Sequence, residues 1–176
     1  MRKNKKIPAP CFYLLISGLI LLLTLLDQAS KLWAAKRLRG REDISVIQGV
    51  FRLSYLENRG AAFGILQNQL WIFLLFSVLL LGTVVYLFIR MPHTGNYLPL
   101  HLAAAVLAAG GIGNTLDRLF RGYVVDFLYF SLIDFPVFNV ADIYVVLSIL
   151  SICLLVFFYY PDENFEFLFL KKKRRS

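Results

Sequence analysis

Histidine and cysteine are almost missing from this chain, two of each in 176 residues, and they do not cluster. Cys11 and Cys153 both fall inside apolar runs, where a thiol behaves as a small hydrophobe, so neither a disulfide framework nor a zinc centre is expected. His93 and His101 stand apart from every cluster of acids, so metal chemistry has no donor set. Charge is scarce as well: Asp, Glu, Lys and Arg make up 17% of residues. Internal repeats and low-complexity tracts are absent, which counts against a carrier assembled from duplicated halves. The first apolar run has no small-x-small cleavage site behind it and reads as a retained membrane helix rather than a cleaved secretory signal.

What is present is apolar. Hydrophobic residues reach 59% and aromatics 15%, too much greasy surface for a soluble domain of this length to cover, which indicates a polytopic membrane protein. The formal charge of +8 does not indicate a nucleic-acid partner. Much of it sits in two short terminal clusters, Arg2 to Lys6 and Lys171 to Arg175, which read as topological signals and contacts to anionic lipid. Four runs have the length of a membrane helix, at about residues 7–26, 70–89, 98–116 and 142–160. The third is rich in Ala and Gly, which let helices approach closely, and is expected at the centre of the bundle. Between the first two, residues 44–56 alternate partially in β-branched and aromatic residues around Gly49, a pattern expected of a small sheet. The fold class expected is an all-α membrane protein of four transmembrane helices with a small extracytoplasmic β-sheet, in one domain. An even number of spans puts both basic termini on the cytoplasmic side, with segments 27–69 and 117–141 outside. Seven basic residues in 27–69 complicate a plain charge count, but the rule is strongest in short segments.

The polar chemistry gathers between Gly110 and Asp142. Asp126 follows the run Tyr123-Val124-Val125, and Asp142 heads the last span directly after Asn139-Val140-Ala141. Ionisable groups at the margin of a membrane segment are costly unless they face a cavity or a partner, which makes both functional candidates. Two adjacent carboxylates cannot both ionise cheaply; one then keeps a proton and the other stays charged, supplying an acid and a base. Asn114 and Arg118, four apart, share a helix face and aim an amide and a guanidinium at the same place. Asn139 is placed to cap the fourth helix or to bond a carboxylate or a substrate backbone. Blander readings stand beside these. Asp142 alone is more simply a helix cap, Asp117 beside Arg118 and Asp134 in a loop are ordinary interfacial charges, and Asp27 with Lys31 is an i, i+4 pair that supports a helix. The glycines at 110, 111 and 113 serve packing alone on that view.

Four ordered boxes resemble the lipoprotein signal peptidases, the signal peptidase II family. They are Asp27-Gln28-Ala29-Ser30-Lys31, Asn58-Arg59-Gly60-Ala61-Ala62-Phe63, the stretch Gly110 to Arg118 followed by Val125-Asp126-Phe127, and Phe138-Asn139-Val140-Ala141-Asp142. The resemblance implies an aspartic endopeptidase of the bacterial inner or cytoplasmic membrane, with its site at the outer leaflet, Asp126 and Asp142 as catalytic dyad, and no cofactor or metal. It further implies Asn58, Asn114, Arg118 and Asn139 as groups orienting dyad and substrate, with Asp27, Lys31, Gly60 and Asp117 as structural support. The implied substrates are diacylglyceryl-modified prolipoproteins, cut on the N-terminal side of the lipidated cysteine. The implied inhibitors are cyclic peptide antibiotics such as globomycin; membrane lipid is the surrounding partner, and the protein is expected to act as a monomer. Two other classes are weighed against this: a small ion-coupled transporter using the outer-face acids, and a lipid-headgroup transferase with Asp-bound magnesium.

Overall fold

The computed structural model describes residues 8–60 and 69–161, together with Lys6 and Phe165. Helix α1 spans Ala9–Leu38, the hairpin β1 Ile44–Ile47 and β2 Phe51–Asn58, α2 Leu70–Arg90, α3 Leu98–Arg121, β3 Val124–Phe130, and α4 Val140–Leu154, continued by a π-helical turn over Leu155–Tyr159. Four helices are long and apolar enough to cross a membrane, and the chain is a multi-pass membrane protein.

Helix α3 is the axis. In its most apolar window 56% of residues are buried, against 17%, 6% and 11% for the other three spans. Small side chains are the cause. A Cβ added at Gly110 would stand 2.6 Å from the Ala141 carbonyl oxygen and 2.9 Å from Val145 Cγ2, so the backbones of α3 and α4 nearly touch. A Cβ at Gly113 would collide with the Asp27 carboxylate of α1. Helix α2 shows the opposite composition: only Val84 is buried, and its outer leucines and Trp71 are left to lipid.

The first helix is longer than its expected span. It runs on through Asp27 and Lys31, both fully buried, to Leu38, so these residues lie within a continuous helix. At 1.5 Å per residue α1 is about 45 Å long, more than the hydrocarbon thickness of roughly 30 Å. Its last turns therefore pass out of the apolar layer, and there Ala34 and Leu38 pack against Val125 and Phe127. Helix α3 likewise reaches past residue 116, carrying Asp117 and Arg118, and stops at Gly122. That glycine has φ +77°, and its N–H bonds to the Arg118 carbonyl. A left-handed residue there turns the chain directly into β3.

The sheet is antiparallel in the order β1-β2-β3. The small sheet expected over residues 44–56 is present, with β1 and β2 as its first hairpin. The third strand has no counterpart among the expectations, because Val124 to Phe127 are all buried and show no alternation to mark a strand. Pairing sets Leu56 opposite Asp126 and Asn58 opposite Val124, with an irregularity in β2 between Leu53 and Leu56. Asp126 thus lies within a strand. The sheet covers the end of the bundle where α1 and α3 finish and α4 starts. Both ends of the described chain gather at the opposite end, where Lys6 bridges to Thr94 and Tyr160 donates to the Asn96 carbonyl at 2.6 Å.

Candidate active site

Asp142 occupies the third position of α4. Its backbone N–H donates to Asn139 Oδ1 at 3.1 Å, and its own Oδ2 accepts the Asn139 N–H at 3.0 Å, forming a reciprocal capping box. The cap itself is Asn139, so Asp142 does not act as the N-cap. Beyond the cap, Asn139 uses its amide nitrogen twice: Nδ2 donates to Asp126 Oδ1 at 2.6 Å and to Asn114 Oδ1 at 3.2 Å. One fully buried side chain thus starts a helix and ties the strand-borne acid to the helix-borne one.

Two more amides complete the ring. Asn114 on α3 donates from Nδ2 to Asp142 Oδ1 at 2.8 Å. Asn58, the last residue of β2, donates from Nδ2 to Asp126 Oδ2 at 2.8 Å and accepts the Gly60 N–H at 3.0 Å. Each of the four carboxylate oxygens therefore receives one donor. These bonds favour the ionised form of Asp126, yet burial and the neighbouring Asp142 charge outweigh them and push its pKa up to about 7. The pair is thereby arranged to hold a proton near neutral pH.

A second set of charges lies behind the first. Lys31 Nζ contacts Asp27 Oδ2 at 2.9 Å, Asp117 Oδ2 at 3.1 Å and Asn114 Oδ1 at 2.9 Å, with no exposure of any of the three charged groups. Asp27 and Lys31 form the i, i+4 pair expected from their spacing. Asp117 is only 1% exposed, which removes it from the class of ordinary interfacial charges. Its helix partner is Arg121, at 2.6 Å, not the adjacent Arg118. Arg121 is the residue that sequence reasoning missed, although its i+4 distance from Asp117 was a usable signal. Both supporting acids also hold backbone. Asp27 Oδ1 accepts the Ala141 N–H at 3.0 Å and Asp117 Oδ2 the Val125 N–H at 3.2 Å.

Arg118 lies on the same α3 face as Asn114 and lines the cleft, with its guanidinium 4.4 Å from the centre of the Phe73 ring. The cleft holds about 960 Å³ and is lined by Asp126, Asp142, Asn58 and Arg118 at its polar end. Phe135 to Phe138 and the α4 residues Ile143, Val146 and Leu147 form its apolar walls. Asp134, also on its lining, adopts φ +49° and accepts the Tyr129 hydroxyl, away from the acid pair. Residues 61–63 of the second box lie outside the described residues. Among the described residues no group of three or more His, Cys, Asp or Glu has an arrangement that could hold a metal ion.

A family model described as Signal peptidase (SPase) II matches residues 19–158. A lipoprotein signal peptidase of Streptococcus agalactiae serotype V is 39% identical over 152 residues, covering 86% of this chain and 96% of the relative. One from Streptococcus pyogenes serotype M5 is 38% identical over 146 residues, covering 83% and 93%. A bacterial membrane enzyme solved by the in meso method at 2.3 Å resolution aligns with a TM-score of 0.73 at 28% identity, over 88% of this chain and 92% of that one. Another, at 1.9 Å, gives 0.72 at 27% identity, over 90% and 100%.

Proposed function

The chain belongs to the signal peptidase II family, and from that premise we propose that it is an aspartic endopeptidase that removes signal peptides from diacylglyceryl-modified prolipoproteins. The observation that carries this reading is the Asn139 bridge, which brings Asp126 and Asp142 together at the polar end of a cleft with apolar walls. The remaining assignments follow from position. Asn58, Asn114 and Asn139 orient the dyad, Arg118 faces the substrate backbone, and Gly60, Asp27, Lys31 and Asp117 brace the elements beneath.

The reaction consumes one water. The ionised carboxylate takes a proton from that water as its oxygen attacks the scissile carbonyl, while the protonated partner donates to the carbonyl oxygen. When the tetrahedral intermediate collapses, the proton taken from water passes to the leaving amine and the other returns to its acid. Asp126, with its raised pKa, suits the role of proton holder and leaves Asp142 as the base. A lipidated substrate is confined to the bilayer, so its cysteine presents the bond at interfacial depth. We place the site at the outer leaflet and both termini in the cytoplasm, which agrees with the gathering of both chain ends opposite the dyad.

Purified protein in detergent, incubated with lipidated and unlipidated precursor peptides, tests the proposal. Cleavage of the lipidated peptide alone is expected, on the N-terminal side of its cysteine, blocked by globomycin and indifferent to a chelator. Asp126→Asn and Asp142→Asn should each abolish it with folding intact. Substantial activity in either variant would remove the dyad from contention.

A further inference from the structure

Three amides hold the acid pair, and an amide is ambivalent, since a half-turn exchanges its oxygen for its N–H groups. Each is fixed by what meets its oxygen. For Asn58 that is the Gly60 N–H and for Asn139 the Asp142 N–H, both backbone donors. Asn114 differs. Its Oδ1 meets two side-chain donors, Asn139 Nδ2 at 3.2 Å and Lys31 Nζ at 2.9 Å, and the second is a full charge that can only donate. The ammonium thus makes the shorter and the charged one of the two bonds that turn Asn114 Nδ2 toward Asp142.

The other two bonds of the ammonium have a matching logic. Asp27 holds the N–H of Ala141, the residue immediately before Asp142, and Asp117 holds the N–H of Val125, the residue immediately before Asp126. Lys31 bonds both of these acids at once, at 2.9 and 3.1 Å. A chain of contacts therefore runs from the backbone beside one acid, through the ammonium, to the backbone beside the other.

We propose that Lys31 is a positioning residue for the hydrolytic step: it sets the separation of the two segments that carry Asp126 and Asp142, and it fixes the polarity of the Asn114 amide that orients Asp142. This rests on the reading of those acids as the dyad. A purely structural lysine would only neutralise two buried carboxylates, and the two roles separate by experiment.

Removing Lys31 alone leaves Asp27 and Asp117 buried with less compensation, and Lys31→Met is expected to lower thermal stability. The decisive background is therefore Asp27→Asn with Asp117→Asn, in which the amide oxygens can still accept the Ala141 and Val125 N–H groups. In that background Lys31→Met and Lys31→Gln are both neutral and similar in size, but only glutamine can donate to Asn114. With the lipidated peptide, kcat should be about tenfold or more higher for glutamine than for methionine, with KM alike within about threefold, as expected for an interaction that matters in the transition state. Adding Asn114→Ala should cost the glutamine variant far more than the methionine variant, because the two residues act in series. Equal kcat at position 31, or additive losses with Asn114→Ala, overturns the proposal. Should the background fail to fold, the same comparison of methionine with glutamine in single variants decides by the same criterion. Asp126→Asn in parallel separates the two ideas: if it abolishes cleavage while methionine equals glutamine, the dyad stands and the role of Lys31 falls.

Discussion

At the end of the bundle that carries Asp126 and Asp142, the buried polar groups are carboxylates, amides and an ammonium, each with named partners, beside a small apolar cluster. At the other end, Phe12 stacks on His93 with ring centres 4.3 Å apart and meets His101 edge-on at 4.6 Å, while Phe88 stacks on His101 at 5.7 Å. Tyr97 and Tyr160 stack there too, near Met91 and Leu100. Among the described residues the buried side-chain atoms without a hydrogen-bond partner are Thr24 Oγ1, Thr94 Oγ1 and His101 Nε2, and none belongs to the acid network. The contrast is one of tolerance. Ring packing is non-directional and can lose one polar partner at small cost, whereas a directional network passes on the loss of any member as an orphaned donor or charge.

The sharpest way to break the comparison is at the acids. Asp126→Asn or Asp142→Asn should reduce turnover about a thousandfold or more, the scale of general acid and base catalysis, with the melting temperature little changed. Next comes Gly113→Ala, whose methyl group would press on the Asp27 carboxylate. Overpacking there should cost about 1 to 3 kcal/mol in denaturation and reduce activity as well. Asn114→Ala deletes a donor to Asp142 and an acceptor of Lys31; a fall in kcat of about ten- to a hundredfold is expected, below the range for a lost oxyanion donor because Asn114 bonds the acid and not the reacting carbonyl.

The pH profile sharpens the contrast further. Asp126 has its pKa raised to about 7, so the proton that the mechanism needs is present below that value and is lost as pH rises through it. Activity should therefore decline on an alkaline limb near pH 7. Histidines titrate in the same range in general, and two of them lie at the far end. His93→Gln with His101→Phe should leave the limb where it is. A limb that vanished in that double variant would assign the titration to the wrong end. The smallest effect is expected of His101→Phe alone. The Tyr97 carbonyl it releases still accepts the backbone N–H of residue 101 at 3.0 Å, so stability should change by less than about 1 kcal/mol and turnover not at all.

The polar end was also the harder to read from sequence. Apolar runs mark the four spans because hydrophobic length is a local property. The small residues of α3 likewise announce close packing, and the structure has Gly110 against Ala141. The burial of Asp27 and Lys31 is less legible, because alone they resemble an exit from the membrane; what encloses them is Asp117, Gly113 and Ala141, all distant in sequence. Strand β3 escaped for a related reason. Its first four residues are all buried, Val125 and Phe127 against α1, and a strand buried on both faces has no period-two signature. Asp126 and Asp142 stood out as acids in apolar surroundings. That Asn139 joins them could be seen only as one of three uses for an amide at that position, and the structure has it serving two at once.

The widened turn that ends α4 sets the phase of the last contact. Tyr160 donates its N–H to the Leu155 carbonyl, five residues back rather than four, so the winding slackens at the end of the helix. A side chain that an ordinary helix would carry round to another bearing is instead delivered onto Tyr97 and Asn96. Regular winding over 155–159 with every residue kept would swing that anchor off its mark, while the stretch of α4 nearer Asp142 kept its facing. The slack turn thus lets one rod satisfy two unrelated rotational demands, one at each extremity.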